Sequence, residues 1–257
     1  MRSRRLALVR RPSPRMAEGL LTHLERQPVD ANLALQQWES YVAALQENDW
    51  EVREAPPAPE CPDSAFIEDT VVVYGDLAVM TRPGAPERQP EPVEVEPVLR
   101  DLGYRIERIE DPGTLDGGDV LKHNGTVWVG IGGRTSWDGF DQFATHLRGL
   151  ADEVVPVPLS LVLHLKSAVT ALPDGTVVGH PDFVDDSSVY PSFLAVPEEH
   201  GGHVVLLGDN RVLMSTSAPR TAELYRERGL DVVAVDISEY EKLEGCVTCL
   251  SVRLRGI

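Results

Sequence analysis

Apolar residues fall into short alternating runs that come in pairs around tight polar turns. "TVVVYGDLAVMTRPGAP" sets two β-rich runs about Gly75-Asp76, and "DVLKHNGTVWVGIGGRTS" sets two about Asn124-Gly125. "AVTALPDGTVVGH" repeats the arrangement at Asp174-Gly175, and "HVVLLGDNRVLMSTSAPRT" repeats it at Gly208-Asp209-Asn210. Tight Asn-Gly or Asp-Gly loops between alternating apolar runs are the strongest short-range hairpin signal. Four hairpins are therefore predicted. They start roughly 35–50 residues apart, the period of repeat architectures such as propellers.

Between hairpins the period lengthens to that of a helix. "DANLALQQWESYVAALQEN" carries apolar residues at helical spacing behind Asp30, a good N-cap. "SWDGFDQFATHLRGL" opens on Ser136, and "APRTAELYRERGL" ends on Gly229, which suits the position just past a helix. Most of these stretches precede a short β-rich run, among "WEVREAP", "YRIERIE", "DEVVPVPL" and "LDVVAVDIS". The repeating unit is hairpin, helix, strand. A fifth, split unit can be closed by "RRLALVRR" and "CVTCLSVRL". The expected fold class is α/β, a five-fold pseudo-symmetric propeller, with 1–257 as a single domain and loops converging on its axis. The Pro-rich "REAPPAPECPDS" reads as a loop.

Composition narrows the function. The 257 residues, 42% of them apolar, suffice for one sizeable core. Lys and Arg number 24 and Asp and Glu 41, a net charge of −17. That charge repels nucleic acid and anionic membranes and suits a small cationic substrate. No apolar run reaches the roughly 18–20 residues that span a bilayer. The basic "MRSRRLALVRRPSPRM" lacks the apolar segment of a signal peptide. Three cysteines, an odd number, argue against a disulfide scaffold and for a reducing cytoplasm. Oligomeric state stays open, a homodimer being compatible with the sequence.

Two of the cysteines, Cys246 and Cys249, form a C-x-x-C in "LEGCVTCLSVRL". Three readings compete. Structural zinc needs four ligands in close pairs, and only Cys61 and the H-x-x-H of His200 and His203 are available to complete the set. A redox pair sits where a strand gives way to a helix, whereas the β-rich "CLSVRL" follows here. Buried thiols that merely pack are common. Other polar groups favour chemistry. "PDSAFIEDT" puts Asp63, Glu68 and Asp69 around a hairpin strand. "LDGGDVL" sets Asp116 and Asp119 about two glycines, where backbone can approach closely. "LVLHLKSAV" predicts His164 and Lys166 on one face of an apolar strand. Ring closure would bring a thiol, a base and several carboxylates together.

In this order, "FIEDTVVV", "MTRPGAPERQ", "LDGGDVL", "HLKSAV" and "VTCLSV" resemble the dimethylarginine dimethylaminohydrolases, guanidine-modifying enzymes of the pentein superfamily. The similarity spans essentially the whole chain. It implies a five-fold α/β propeller acting as one catalytic domain, with no cofactor and no metal. It implies hydrolysis of Nω-methylated L-arginines to L-citrulline and methylamines through a covalent thiouronium. Cys249 would be the nucleophile, His164 the general acid and base, and Asp116 its carboxylate partner. Asp69 and Glu68 would engage the guanidinium. Asp63 and the carbonyl near Leu243 would hold the α-amino group, and Arg88 and Arg134 the α-carboxylate. Leu20 would belong to a lid, and Cys246 receives no role.

Two alternatives accompany the resemblance. Arginine deiminase-like or amidinotransferase-like penteins usually carry His-x-Asp where this chain has His164-Leu165-Lys166. A redox-responsive Cys-x-x-Cys binding protein lies outside the superfamily. The missing carboxylate at Lys166 leads to the expectation that arginine is a poor substrate beside monomethyl- and asymmetric dimethylarginine. The local excess of acid leads to another: Cys249 should be mostly neutral before substrate binds.

Overall fold

The computed structural model describes residues 5–255. Residues 1–4 and 256–257, which belong to the basic N-terminal run and to the tail of the chain, lie outside the described residues.

The turn chemistry builds what it predicts. Asn124 and Gly125 take φ of 46° and 83°, and strands Val120–His123 and Thr126–Ile131 pair antiparallel across them. Helix Trp137–His146 then leads to Glu153–Pro158, which pairs parallel to the second strand. Ser136 caps that helix by accepting the Gly139 N–H. The same triplet recurs in Val71–Tyr74, Leu77–Met80 and Arg105–Arg108. It recurs again in Val169–Ala171, Val177–Gly179 and Phe193–Ala195, and in Val205–Gly208, Arg211–Ser215 and Asp231–Val235.

The split unit closes the ring. Strand Arg5–Val9 pairs antiparallel with Val252–Arg255 and parallel with Glu51–Glu54. Its crossover helix Ala31–Glu47 is capped by Asp30, which accepts from Asn32 and Leu33 N–H. Among the described residues the strands thus form five three-stranded sheets, arranged as the expected α/β propeller. Crossovers differ. In the third sheet, short turns at Pro181–Phe183 and Ser187–Val189 stand where the other units have a helix.

Core packing follows the strand period of two. Val71 and Val73 pack with Leu6, Leu8, Val252 and Leu254 of the split unit. Val72, between them, packs with Val127 and Val129 of the next unit. Alternate residues of one hairpin therefore cover opposite neighbours. The polar segments before the hairpins are themselves mostly buried. Those segments are single helical turns, at Ile67–Thr70, Gly117–Asp119, Leu165–Ala168 and Glu199–Gly202. Neighbouring turns touch one another around the ring.

Candidate active site

Four of the segments before hairpins carry the candidate chemistry: Glu68 and Asp69, Asp116 and Asp119, His164 and Lys166, and Cys246 and Cys249. The turns approach closely because glycine lets them. A Cβ on Gly117 would lie 2.0 Å from the Glu68 carbonyl oxygen, and one on Gly118 would lie 2.7 Å from both Asp69 Oδ1 and His164 Nδ1. The Gly118 N–H instead donates to Asp69 Oδ1 at 2.8 Å.

One expectation fails here. His164 and Lys166 do not share the face of a strand. His164 is extended, with φ −135° and ψ 157°, and precedes the helical turn Leu165–Ala168. Residues two apart on a helical turn do not face the same way. Asp119 winds the chain by accepting the Leu165 N–H at 3.0 Å. Lys166 therefore points behind the turn, where Nζ meets Glu68 Oε1 at 2.7 Å. It does not pair with Asp116.

Of the expected residues, Leu20, Asp63, Asp69, Arg88, Arg134, His164, Leu243 and Cys249 line one narrow pocket. Asp116 sits fully buried behind His164, its Oδ2 3.0 Å from Nε2. Its Oδ1 accepts the Gly84 N–H at 2.8 Å. Glu68 is not among the lining residues. Its Oε1 also accepts from Arg253, and the pair with Lys166 holds it on the far side of the turn.

Charge in the pocket is finely opposed. Burial alone would push the His164 imidazolium toward neutrality, but Asp69, Asp119 and Asp116 outweigh it and raise its pKa to about 9. Burial raises Asp69 as well. The charges of His164 and Arg88, with hydrogen bonds from Arg88 and Gly118, win and hold it at about 2. Cys249 is pushed well above the usual thiol range. It shares a hydrogen bond with Cys246 across 3.4 Å, it is buried, and Cys246, Glu68 and Asp69 oppose a negative charge on it. That agrees with the neutral thiol expected from the sequence.

The two arginines differ. Arg88 is saturated: Nη1 reaches Asp69 at 2.7 Å, and Nε and Nη2 reach Glu91 at 3.1 and 2.8 Å. Arg134 Nη1 is buried, 3.6 Å from Asp116, with no hydrogen-bond acceptor among the described residues. The segment at Leu20 borders the pocket. The Leu20 N–H donates to Asp63 at 3.1 Å, and the Glu244 carboxylate accepts from Thr22, His23 and Leu24 N–H. Asp69, Asp116 and His164 offer ligand atoms within 4.8 Å of one another, the geometry of a cation site. Each of the three also has protein partners: Arg88 and Gly118 at Asp69, Gly84 at Asp116, and the two aspartates at His164.

No family model matches the chain. Individual relatives do. It is 59% identical over 251 residues to the N(G),N(G)-dimethylarginine dimethylaminohydrolase of Streptomyces coelicolor, covering 98% of this chain and 97% of that protein. It is 34% identical over 251 residues to the enzyme of the same name from Pseudomonas aeruginosa, covering 96% and 98%. The chain belongs to the dimethylarginine dimethylaminohydrolase family. A solved structure of the Pseudomonas aeruginosa protein, a cysteine-to-serine mutant complexed with citrulline, aligns with a TM-score of 0.90 at 31% identity, over 99% of this chain and 100% of that one. A dimethylarginine dimethylaminohydrolase adduct with S-methyl-L-thiocitrulline aligns at 0.89 and 32% identity, over 97% and 99%. The N-terminal domain of ArgZ, at 21% identity and a TM-score of 0.88, shares the fold.

Within this dimethylarginine dimethylaminohydrolase, two groups, Glu91 and Glu244, escape sequence reasoning, and a third, Asp119, is legible as an acid but not in its role. Glu91 carries Arg88, Glu244 holds the backbone at Thr22, His23 and Leu24, and Asp119 winds the turn after His164. Glu244 and Asp119 act on partners remote in sequence, whereas Glu91 lies only three residues from Arg88. Only Asp119 leaves a trace, in the second acid of "LDGGDVL".

Proposed function

We propose that this dimethylarginine dimethylaminohydrolase converts Nω-methylated L-arginines to L-citrulline and methylamines with Cys249 as nucleophile and His164 as general acid and base. The observation that carries the reading is one pocket lined by a buried thiol, a protonated imidazole, an anionic Asp69 and an unsatisfied Arg134 donor. A cationic group and a carboxylate on the same ligand fit those charges.

On entry the guanidinium takes over Asp69 and releases Arg88 Nη1. Arg88 and Arg134 then hold the α-carboxylate, a task suited to guanidinium donors. Asp63 and the backbone near Leu243 receive the α-amino group, under the segment at Leu20. The substrate cation lowers the Cys249 pKa, and the thiol proton leaves to solvent. Sγ attacks the central guanidinium carbon, the C–N bond breaks, and His164 gives its proton to the departing amine. Neutral His164 then takes a proton from water, which attacks the same carbon. The C–S bond breaks and citrulline forms. Asp116 and Asp119 favour the imidazolium and orient it. Glu68 acts from behind, fixing the turn that presents Asp69.

Phe66 and Leu163 also line the pocket, and their side chains offer no acceptors. Arginine would leave N–H donors unpaired against them, at about 1–3 kcal/mol each, whereas methyl groups lose nothing. With Lys166 turned away, these apolar walls replace it as the basis for selectivity. The test is kcat/KM for arginine and for monomethyl-, asymmetric and symmetric dimethylarginine. The monomethyl and asymmetric compounds should be used best. Equal use of arginine would make the enzyme a deiminase.

No described helix is long and apolar enough to cross a membrane. A cytoplasmic setting is supported by three free cysteines, and the net charge of −17 argues for a small cationic partner over nucleic acid.

A further inference from the structure

Cys246 is unused by the hydrolase chemistry, yet its placement is specific. The Cys249 N–H donates to the Cys246 carbonyl at 3.1 Å. A turn of that kind keeps the two Cα atoms within about 7 Å, compatible with the span of a disulfide. The sulfurs are already 3.4 Å apart. Cys246 also has its own access. It lines a second cavity of about 100 Å³ with Ser167, His200 and His203. Glu244 and Gly245 border both this cavity and the substrate pocket.

The second cavity favours a thiolate. His203 is 5% exposed; its Nε2 lies 2.7 Å from the Ser167 carbonyl, and its Nδ1 has no hydrogen-bond partner among the described residues. The hydrogen bond from Cys249, with His203 and the Thr248 hydroxyl, outweighs burial and lowers the Cys246 pKa to about 5. A cysteine kept only for packing needs neither the sulfur contact nor the cavity.

We propose that Cys246 is the resolving thiol for an oxidised Cys249, closing a Cys246–Cys249 disulfide that stores the enzyme inactive but recoverable. The inference rests on Cys249 being the nucleophile. When the proton shared across the sulfur pair sits on Cys246, a hydroperoxide transfers one oxygen to the Cys249 thiolate. The O–O bond breaks, sulfur is oxidised to sulfenic acid, and the peroxide leaves as water or an alcohol after taking up a proton. Cys246 thiolate then attacks Cys249 Sγ. The S–O bond breaks, hydroxide leaves and is protonated to water, and the S–S bond forms. A dithiol reverses it by exchange, becoming the cyclic disulfide while both cysteines regain thiols.

The experiment treats wild type, Cys246→Ser and Cys61→Ser with hydrogen peroxide and follows citrulline formation, intact mass and mapped peptides. Wild type and Cys61→Ser should lose activity and about 2 Da, with Cys246 and Cys249 linked, and dithiothreitol should restore both. Cys246→Ser should instead gain about 32 Da at Cys249 and stay inactive after dithiothreitol. Wild type that gains oxygen at Cys249 while Cys246 remains open to alkylation would overturn the proposal, as would a disulfide to Cys61. The wild-type peptide map decides this even if Cys246→Ser folds poorly. An untreated Cys249→Ser that still makes citrulline would sink the nucleophile reading itself, separately from the disulfide.

Discussion

Glu68 and Asp69 are consecutive acids on one turn, exposed by only 4% and 1%, yet they face different surroundings. Glu68 looks into a cavity of about 270 Å³ that Lys166 and Arg253 also line, and it is paired with both. Asp69 looks into the narrow pocket beside His164 and Cys249, where Arg88 and the Gly118 N–H hold it. Burial does not separate the two, and neither does the presence of a cation. The difference lies in whether the partner can be exchanged. Lys166 and Arg253 are locked behind the turn with no other described ion-pair partner, whereas Arg88 keeps Glu91 when Asp69 lets go. A buried acid reads as part of a site when its protein partner has somewhere else to go.

That contrast can be broken most severely on the pocket side. His164→Ala should lower kcat by about 10²–10⁴-fold and should also lower the melting temperature, because Asp69, Asp116 and Asp119 lose the buried positive charge that faces them. Steady-state citrulline rates beside a thermal melt check both halves. Retention of more than about a hundredth of kcat would move the acid–base role elsewhere. Behind the turn the loss should fall mainly on stability. Glu68→Gln leaves Lys166 and Arg253 buried without their counter-charge, which costs about 3–5 kcal/mol of stability. Denaturant unfolding should show that loss, and kcat/KM should fall by less than the stability change implies. A stable variant with a greatly raised KM would return Glu68 to the guanidinium.

The smallest effect is a pH shift. His164 is raised from 6.5 to about 9, so its stabilising charge is complete below 6.5 and is lost as pH rises through about 9. Turnover should rise as Cys249 ionises in the substrate complex and fall as His164 loses its proton. Asp116→Asn removes one of the acids that raise His164, so the alkaline limb of the rate profile should move to lower pH. A limb that stays put would detach Asp116 from His164.

Legibility in the sequence tracks how local the cause is. Asn124-Gly125 needs only its own backbone to make a turn, and Asp30 and Ser136 cap helices within three residues. These are readable, and with them the five units. Helix Val95–Asp101 is masked by Pro90, Pro92 and Pro97, although a proline near the first turn is tolerated. "LVLHLKSAV" alternates like a strand, and only Asp119, from another unit, turns it helical. For the same reason His164 is legible as a chemical group but its direction is not. The site's acids are visible; which of them face the ligand is decided by partners far along the chain.

Ring closure has a consequence in time. Strands Arg5–Val9 and Val252–Arg255 join the most distant described positions, and loop-closure entropy makes such pairings slow to form. Cys249 lies just before the second of these strands, and its carbonyl accepts the Glu68 N–H at 3.1 Å across the seam. A folding chain with four sheets in place would hold its acids and its base while the thiol still wandered. We infer that activity is the last property this chain acquires. In refolding, citrulline formation should lag the recovery of far-ultraviolet circular dichroism, and coincident recovery would refute the order. Partly folded molecules would then be silent toward substrate rather than slow, and a reactive cysteine would not be aimed at anything until the ring was shut.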